Sequence, residues 1–402
     1  MNDCHDPMRI GCITRHSYPT AQEIRVTKFA ETFQNKGHKF YVFCPNNGEQ
    51  RKIHDFNLCH VINPILGKSN LIGRFIFSPL PINPVWAWWL ARQFRKYRLR
   101  IVIVRDLRLA IPVFLAARAC GIKAILDLGE HYPGMMVVSG KQRIIHHIIR
   151  NHSLITWLEA LSVRMADHVW VVVDENKERL NKYSSNISVI NNYPMHISNN
   201  VKYKVEPTVY SDSGKPVTIL FLGVIDNIRG LELAINAFSI VAHDLVNVQM
   251  KIYGDGFYRE ELEKLVKIHG LEKKVLFKGW VSATQKYEIM AEGDIGLILH
   301  KVCELTQFTV PNKLFDYMYV GLPILSTQIN PVMRILEREH CGVSVEEQVD
   351  AVACRLKELI LDLETRKKFS ENGFQAVRSR YRWCDEEEKI FKDIGALNAV
   401  SE

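Results

Sequence analysis

The stretch Phe308-Thr309-Val310-Pro311-Asn312-Lys313-Leu314-Phe315-Asp316-Tyr317-Met318, continuing into Gly321-Leu322-Pro323-Ile324-Leu325, decides how this chain is read. Proline has a fixed φ and no amide hydrogen, so Pro311 suits the first position of a helix. Asn312, Lys313 and Asp316 then fall in the first turns, and offsets of three and four put Asp316 on the face of the other two. Unpaired amides and the positive end of the helix dipole favour a phosphate there. Lys313 adds a full charge, and Asp316 an acceptor suited to sugar hydroxyls. Gly321-Leu322-Pro323 closes the helix and Ile324-Leu325 begins a buried strand. The unit reads as a site for a sugar nucleotide or another phosphorylated, hydroxyl-rich ligand.

Outward from this segment, strands and helices alternate in both directions. Towards the N-terminus, Val217-Thr218-Ile219-Leu220-Phe221-Leu222 reads as a strand. The helix after it carries Leu231, Ala234, Phe238 and Val241 at helical spacing. Val248–Tyr253, a helix near Glu260 to His269, Val275–Phe277 and Ile295–Leu299 continue the pattern. An earlier alternation runs through Arg9–Thr14, Phe40–Cys44, Ile101–Val104, Ala124–Asp127 and His168–Val173. Such repetition implies doubly wound parallel sheets, which bind ligands beyond the carboxyl ends of their strands. Polar, aperiodic residues from about 196 to 216 read as a linker between two α/β domains.

A chain of 402 residues is long enough for two or three domains. No apolar run reaches spanning length; the one around Ala110 to Leu126 is broken by Arg118, Gly121 and Lys123. Met1 to Pro7 lacks the apolar core of a signal peptide. Nine irregularly spaced cysteines without a C-x-x-C pair suit a reducing cytoplasm better than a disulfide framework or a zinc site. The net charge of +8 calls for an acidic partner or surface. Its sharpest cluster, Arg92, Arg95, Lys96, Arg98 and Arg100, comes directly after Trp86-Ala87-Trp88-Trp89-Leu90. Leu71–Phe77 and Lys141–Arg150 repeat the mixture of aromatic or aliphatic with basic residues. Two readings fit: an interfacial surface on an anionic membrane, or core helices with solvated basic faces. No nucleic-acid recognition motif accompanies these residues.

Gly223-Val224-Ile225-Asp226-Asn227-Ile228-Arg229-Gly230 joins a strand to a helix. Its glycines allow close backbone approach, and Arg229 at the helix start could fork onto a diphosphate; ordinary turn chemistry explains the same residues. Gly254-Asp255-Gly256 after a buried strand is equally open. It lacks the dinucleotide fingerprint G-x-G-x-x-G, and Phe257 and Tyr258 would crowd a pyrophosphate, which disfavours a nicotinamide enzyme.

Taken together, Leu222-Gly223, Arg229-Gly230-Leu231-Glu232, Tyr253-Gly254-Asp255-Gly256, Phe277-Lys278-Gly279-Trp280-Val281, Asp294-Ile295-Gly296-Leu297 and Pro311–Tyr317 resemble, in order and spacing, a group 1 (family four) glycosyltransferase of the GT-B fold. The resemblance covers nearly all of the C-terminal half. The N-terminal half is similar in outline, through its opening strand and loop, Arg105-Asp106, Asp127 to Pro133 and Asn192-Tyr193-Pro194. It implies an α/β protein of two Rossmann-like domains facing a cleft: an acceptor domain (1–195), a linker (196–216), a nucleotide-sugar domain (217–378) and a helix (379–402) crossing back to the first domain.

The resemblance further implies a retaining, metal-independent transfer of sugar from a nucleotide-diphosphate donor to a glycan or lipid-linked acceptor, in the cytoplasm or on the inner membrane face. Gly223, Arg229, Gly254, Asp255, Val281, Asn312, Lys313 and Asp316 are the expected donor-binding residues. Val224 stands where the family has an Arg on the donor diphosphate, and Arg229 where it has a Lys. Of the usual two glutamates eight apart, the first falls at Phe308 and the second at Asp316, one methylene shorter. Gly129 lies nearest the family's acceptor-side histidine, with Glu130 and His131 as adjacent substitutes. Arg229 and Lys313 are expected to meet leaving-group charge. A sugar-nucleotide epimerase, or a sugar-nucleotide-binding protein with a degenerate site, are the alternative readings.

Overall fold

The computed structural model describes residues 7–16, 18, 23–44, 53–56, 59–62, 83–138, 151–195, 207–282 and 284–399. They fall into two units, Met1–Asn192 with Glu386–Glu402, and Tyr193–Asp385.

The first unit carries strands β1 (Arg9–Ile13), β2 (Lys39–Phe43), β3 (Ile53–Phe56), β4 (Cys59–Ile62), β5 (Ile101–Val104), β6 (Lys123–Leu128), β7 (His168–Val171) and β8 (Ile187–Val189). They form one sheet in the order β3-β4-β2-β1-β5-β6-β7-β8. Ile101-Val102-Ile103-Val104 is buried throughout, as befits a central parallel strand covered on both faces. The expectation of parallel strands holds except at the edge, where β3 pairs antiparallel with β4.

Helices α1 (Ile24–Asn35), α2 (Pro84–Tyr97), α3 (Leu107–Cys120), α4 (Tyr132–Val138), α5 (His152–Met165) and α6 (Asp174–Leu180) belong to this unit. Asn83, Asp106 and Asn151 cap α2, α3 and α5 by accepting the amides of Trp86, Arg108 and Ser153 at 3.0, 2.9 and 2.9 Å.

The second unit is built on an all-parallel sheet ordered β11-β10-β9-β12-β13-β14. Its strands are β9 (Val217–Leu222), β10 (Val248–Tyr253), β11 (Val275–Gly279), β12 (Ile295–Ile298), β13 (Ile324–Thr327) and β14 (Gly342–Val345). Helices α7 (Leu231–Asp244), α8 (Arg259–Ile268), α9 (Lys286–Met290), α10 (Lys313–Tyr319), α11 (Asn330–Glu339), α12 (Val349–Leu361) and α13 (Leu363–Arg380) complete it. Leu231, Ala234, Phe238 and Val241 of α7 are buried, as their spacing predicts.

The helix expected to open at Pro311 starts at Lys313 instead. The Leu314 amide donates to the Pro311 carbonyl at 2.9 Å, a tight turn that precedes the first full helical turn. Of the expected linker, residues 196–206 lie outside the described residues. The remainder, from residue 207, is tied into the second unit, because the Asp294 carboxylate accepts the amides of Thr208 and Thr218 at 2.7 and 2.8 Å.

Helix α14 (Trp383–Ala399) begins in the second unit and from Glu386 onward belongs to the first. There its Phe391 ring meets Phe33 edge-on, with centroids 5.7 Å apart. The Asp393 carboxylate accepts the indole N–H of the fully buried Trp170 at 2.8 Å and lies 3.2 Å from His168 Nε2. Glu386 accepts the Asn191 amide at 3.0 Å.

Asp393→Ala strands the Trp170 N–H away from water. An unsatisfied buried donor costs about 1–3 kcal/mol, so the variant is expected to unfold at lower temperature than Asp393→Asn, which keeps an acceptor. Calorimetry of the two variants checks this, and equal midpoints would refute it.

Candidate functional site

In the second unit, the residues singled out by sequence converge beyond the carboxyl ends of β9, β10 and β12. The loop from Gly223 to Gly230 leaves β9 and is buttressed by the next loop. The Gly223 amide donates to the Tyr253 carbonyl and the Ile225 amide to the Asp255 carbonyl, both at 2.9 Å. Side chains would prevent this docking. A Cβ on Gly254 would lie 1.9 Å from the Gly223 carbonyl oxygen, and one on Gly256 2.0 Å from that of Ile225. Gly254-Asp255-Gly256 therefore supports the first loop by backbone contact. Phe257, expected to crowd the site, is 68% exposed.

Within that loop Asp226 acts as a local cap, its carboxylate accepting the Ile228 and Arg229 amides at 3.0 and 3.1 Å. The same carboxylate pairs with Arg229 Nε at 3.3 Å, which fixes the guanidinium at the start of α7. Val224, in the position where the resemblance implies an Arg, is exposed.

Lys313, the first residue of α10, is buried, and its ammonium points under the same loop. Nζ lies 3.6 Å from the centroid of the Phe221 ring and 3.0 Å from where a Gly223 Cβ would stand. It has no hydrogen-bond partner among the described residues. Burial, and then Arg229, push it well below the ordinary lysine value, while Asp226 and Asp316 pull the other way.

A second orphan sits beside it. His300 lies just past β12 and is 3% exposed, and its Nε2 likewise lacks a partner among the described residues. Burial, then Lys313, then Arg229 hold its ring well below the usual histidine range. Sequence reading missed His300; its only signal was a polar residue directly after the buried run Ile295–Leu299.

The other expected donor residues are distributed differently. Asp316 is already engaged, accepting Lys286 Nζ at 2.8 Å and the Tyr287 hydroxyl at 3.2 Å, two partners on α9 that the sequence did not announce. Asn312 is exposed just before α10, and Val281 packs, half-buried, against the cluster containing Tyr253 and Met290.

In the first unit, the ends of β1, β5 and β6 carry a neutralised cluster. Asp127, fully buried, accepts Arg25 Nη2 at 2.8 Å and Arg105 Nε at 3.0 Å. Arg105 also binds Glu23, which accepts the Thr14 hydroxyl at 2.6 Å. Burial alone would raise the Asp127 carboxyl, but the two arginines hold it below its ordinary value. Arg105 and Asp106, adjacent in sequence, each pair elsewhere; Asp106 meets Arg15 at 2.9 Å.

Glu130 is exposed, whereas His131 is wholly buried. The His131 Nδ1 accepts the Gly134 amide at 3.0 Å, so the ring caps the start of α4. Burial first, then the charges of Arg179 and His152, push its pKa down to about 3. A ring held neutral in this way is a structural part of the fold and a poor proton acceptor.

Of the aromatic and basic surfaces, Leu71–Phe77 and Lys141–Arg150 lie outside the described residues. On α2, Trp86 and Trp89 are core, but Trp88 is 64% exposed beside Val85, with Arg92, Arg95 and Lys96 further along the helix. Arg95 donates to the Ala119 carbonyl of α3, and Arg118 of α3 to the Met165 carbonyl at the end of α5. The three helices are thus linked side by side, and α5 adds the exposed Leu154 and Trp157. No helix among the described residues is long and apolar enough to cross a membrane.

Comparison with known proteins agrees with this architecture. The family model for glycosyltransferase family 4 matches residues 22–193, and that for glycosyl transferases group 1 matches residues 206–376. The chain belongs to the group 1, family 4 glycosyltransferases, with the two Rossmann-like units of the GT-B fold. It is 25% identical to alpha-D-kanosaminyltransferase of Streptomyces kanamyceticus over 46% of this chain and 48% of that protein. It is also 25% identical to the lipopolysaccharide core biosynthesis glycosyltransferase LpsD of Rhizobium meliloti, over 34% of this chain and 38% of that one. The match therefore spans about half, or less, of these relatives' length. Among solved structures, sucrose-phosphate synthase from Thermosynechococcus elongatus superposes with a TM-score of 0.77 at 14% identity, covering 98% of this chain and 100% of that one. Anabaena HepE in complex with UDP gives 0.73 at 14%, covering 97% and 100%. At such identity the likeness is one of fold.

The His131 environment makes a prediction about acid stability. The unfolded ring takes up a proton near its ordinary value of 6.5, whereas the folded ring does so only at about 3. Stability is therefore lost as pH falls from the first value towards the second, by roughly 2 kcal/mol at pH 5 from this group. Denaturant titrations of His131→Asn, which keeps a capping acceptor, are expected to show a shallower acid limb than wild type. An unchanged limb would show that His131 does not set it.

Proposed function

We propose that this chain transfers a sugar from a nucleotide-diphosphate donor to a glycan or lipid-linked acceptor, retaining the anomeric configuration without a required metal, in the assembly of a surface polysaccharide. The observation that carries the proposal is the ammonium of Lys313, buried without a hydrogen-bond acceptor among the described residues, beside Arg229 at the end of β9. Two cationic groups there suit an anion, and a diphosphate between them supplies it. Family membership supports the transfer of sugar. HepE, a neighbour in fold, holds UDP, and LpsD, a relative by sequence, is named for lipopolysaccharide core synthesis.

The chemistry asks for charge stabilisation and alignment above all. As the bond from the anomeric carbon to the phosphate oxygen breaks, negative charge gathers on the departing diphosphate. Arg229 and Lys313 meet it, in a place where the Gly223 loop keeps water off Nζ. The acceptor hydroxyl attacks from the face the diphosphate is leaving, forms the new glycosidic bond and passes its proton to a phosphate oxygen. The donor's own leaving group is then the base, and no protein nucleophile is called for. The burial of His131 fits this scheme, because a ring with so low a pKa has little basicity to offer. Glu130, exposed at the end of β6, remains the side chain proposed for contact with the acceptor.

Arg229→Ala and Lys313→Ala are each expected to lower turnover about a hundredfold, by analogy with removal of one donor from an oxyanion hole at ~3 kcal/mol. Arg229→Lys keeps the charge, loses the fork and should fall between. Near-normal rates in both alanine variants, or strict dependence on magnesium or manganese, would overturn the charge assignment. A nucleotide sugar incubated without acceptor separates the alternatives: epimer or glycal release identifies an epimerase, and binding without turnover on any acceptor pool identifies a binding protein.

We also place the chain on the inner face of a membrane through Val85, Trp88, Leu154 and Trp157 with the basic residues of α2. Each cation near an anionic leaflet contributes about 1 kcal/mol, so attachment should weaken in high salt. Flotation is expected with anionic but not neutral vesicles, and Trp88→Ser with Trp157→Ser should abolish it. Equal recovery on both vesicle types would rule the surface out.

A further inference from the structure

Lys313 and His300 are two polar side chains, each at least nine-tenths enclosed, whose nitrogens lack partners among the described residues. They come from different elements, α10 and the segment after β12; the His300 ring feels the charge of Lys313, and both feel that of Arg229. Two hydrogen bonds hold the His300 segment in place. The His300 carbonyl accepts the Thr327 hydroxyl at 2.5 Å, and the Lys301 amide donates to the Ile228 carbonyl at 2.8 Å. The segment is thereby laced to β13 on one side and to the Arg229 loop on the other. A Cβ on Gly230 would stand 1.5 Å from the Leu299 carbonyl oxygen, so the two loops touch at backbone distance. The imidazole thus cannot be moved without disturbing the place where the leaving group is held.

We propose that His300 is a third phosphate-contacting residue of this site, and that a diphosphate enters together with a proton which the Lys313–His300 pair takes up. The inference rests on the donor reading under the proposed function and names a residue and a proton-linked control that the reading does not require.

Charged groups face the pair from several elements. Arg229 supplies one full positive charge from the loop after β9, and Asp226, bonded to it, offsets part of it. Asp316 on α10 is itself held by Lys286 and Tyr287 of α9, so it has little negative charge to spare. Lys313 and His300 are therefore crowded by cationic charge and by burial, and both are pushed towards their neutral forms. A diphosphate reverses both pressures. Its oxygens accept hydrogen bonds from the orphaned nitrogens, and its negative charge favours the protonated forms. Binding must therefore draw a proton from solvent, shared by two groups that titrate as one system. By linkage, what binds with a proton binds less well as pH rises.

The test is calorimetric titration of the full chain with inorganic pyrophosphate and with UDP, GDP, ADP and dTDP, in two buffers of different ionisation enthalpy. The proton count is read from the nucleoside diphosphates at about pH 8, where their terminal phosphate, with a second pKa near 6, is already ionised, so that uptake belongs to the protein. Wild type is expected to take up protons on binding, and its affinity to fall several-fold per pH unit above neutrality. His300→Gln keeps an amide donor that cannot charge. It should fold with an unchanged thermal midpoint, bind more weakly and take up fewer protons. Binding by wild type with no proton exchange overturns the inference and leaves the donor reading standing. An unchanged proton count and affinity in His300→Gln overturns the role given to His300. If none of the five anions binds wild type, the donor reading fails and this inference falls with it. Should the variant not fold, the proton count of wild type alone still decides the coupling.

Discussion

A lysine amino group is enclosed under the end of β9, and its surroundings are arranged around it. Ammonium groups are costly to enclose, and most enclosed ones are paired. Lys313 instead rests 3.6 Å from the Phe221 ring, whose face offers it electron density. Asp226 and Asp316, the carboxylates felt there, are spent on Arg229 and on Lys286. The loop above can lie so close because Gly223 has no side chain to meet Nζ, and it is kept there by the glycine-bounded loop after β10. The fold carries the cost of enclosing this group without an acceptor among the described residues.

The first unit solves the opposite problem with similar parts. Asp127 is as deeply enclosed as Lys313, yet two guanidiniums saturate it, and Glu23 balances the second of them. Paired in this way, the cluster ties three strand ends and α1 into one rigid group and has no appetite for an ion. The equivalent ends of the two sheets thus differ in kind, one closed electrostatically and one open.

Periodicity made most of the architecture legible. Runs such as Ile101–Val104 and the spacing of Leu231, Ala234, Phe238 and Val241 admit one reading each, and both sheets follow from them. Arg229 and Lys313 stood out as cations at loop–helix junctions, and the structure brings both to the end of β9. The hidden parts depended on partners distant in sequence. Arg25 and Asp127 are 102 positions apart, and Lys286 and Asp316 are 30 apart. No local pattern couples them. His131 looked chemical because it lies just past a strand end, but burial turned it into a cap. His300, at the end of another strand, looked like nothing and proved to be the histidine enclosed beside Lys313. The edge hairpin of β3 and β4 escaped because its short strands lack a distinctive period.

The shared helix α14 has a consequence for how the protein is made. The first unit is discontinuous: its sheet is complete by Val189, yet Phe33 and Trp170 are covered by residues that come after the whole of the second unit. A ribosome releases the chain from its N-terminus, so this sheet must wait, one flank bare, while roughly two hundred residues are synthesised and fold behind it. The closure entropy of so long a loop grows only slowly with length, but the delay grows in proportion. The second unit, contiguous in sequence, can mature first. The indole N–H of Trp170 stays without its Asp393 acceptor until the last helix has been made.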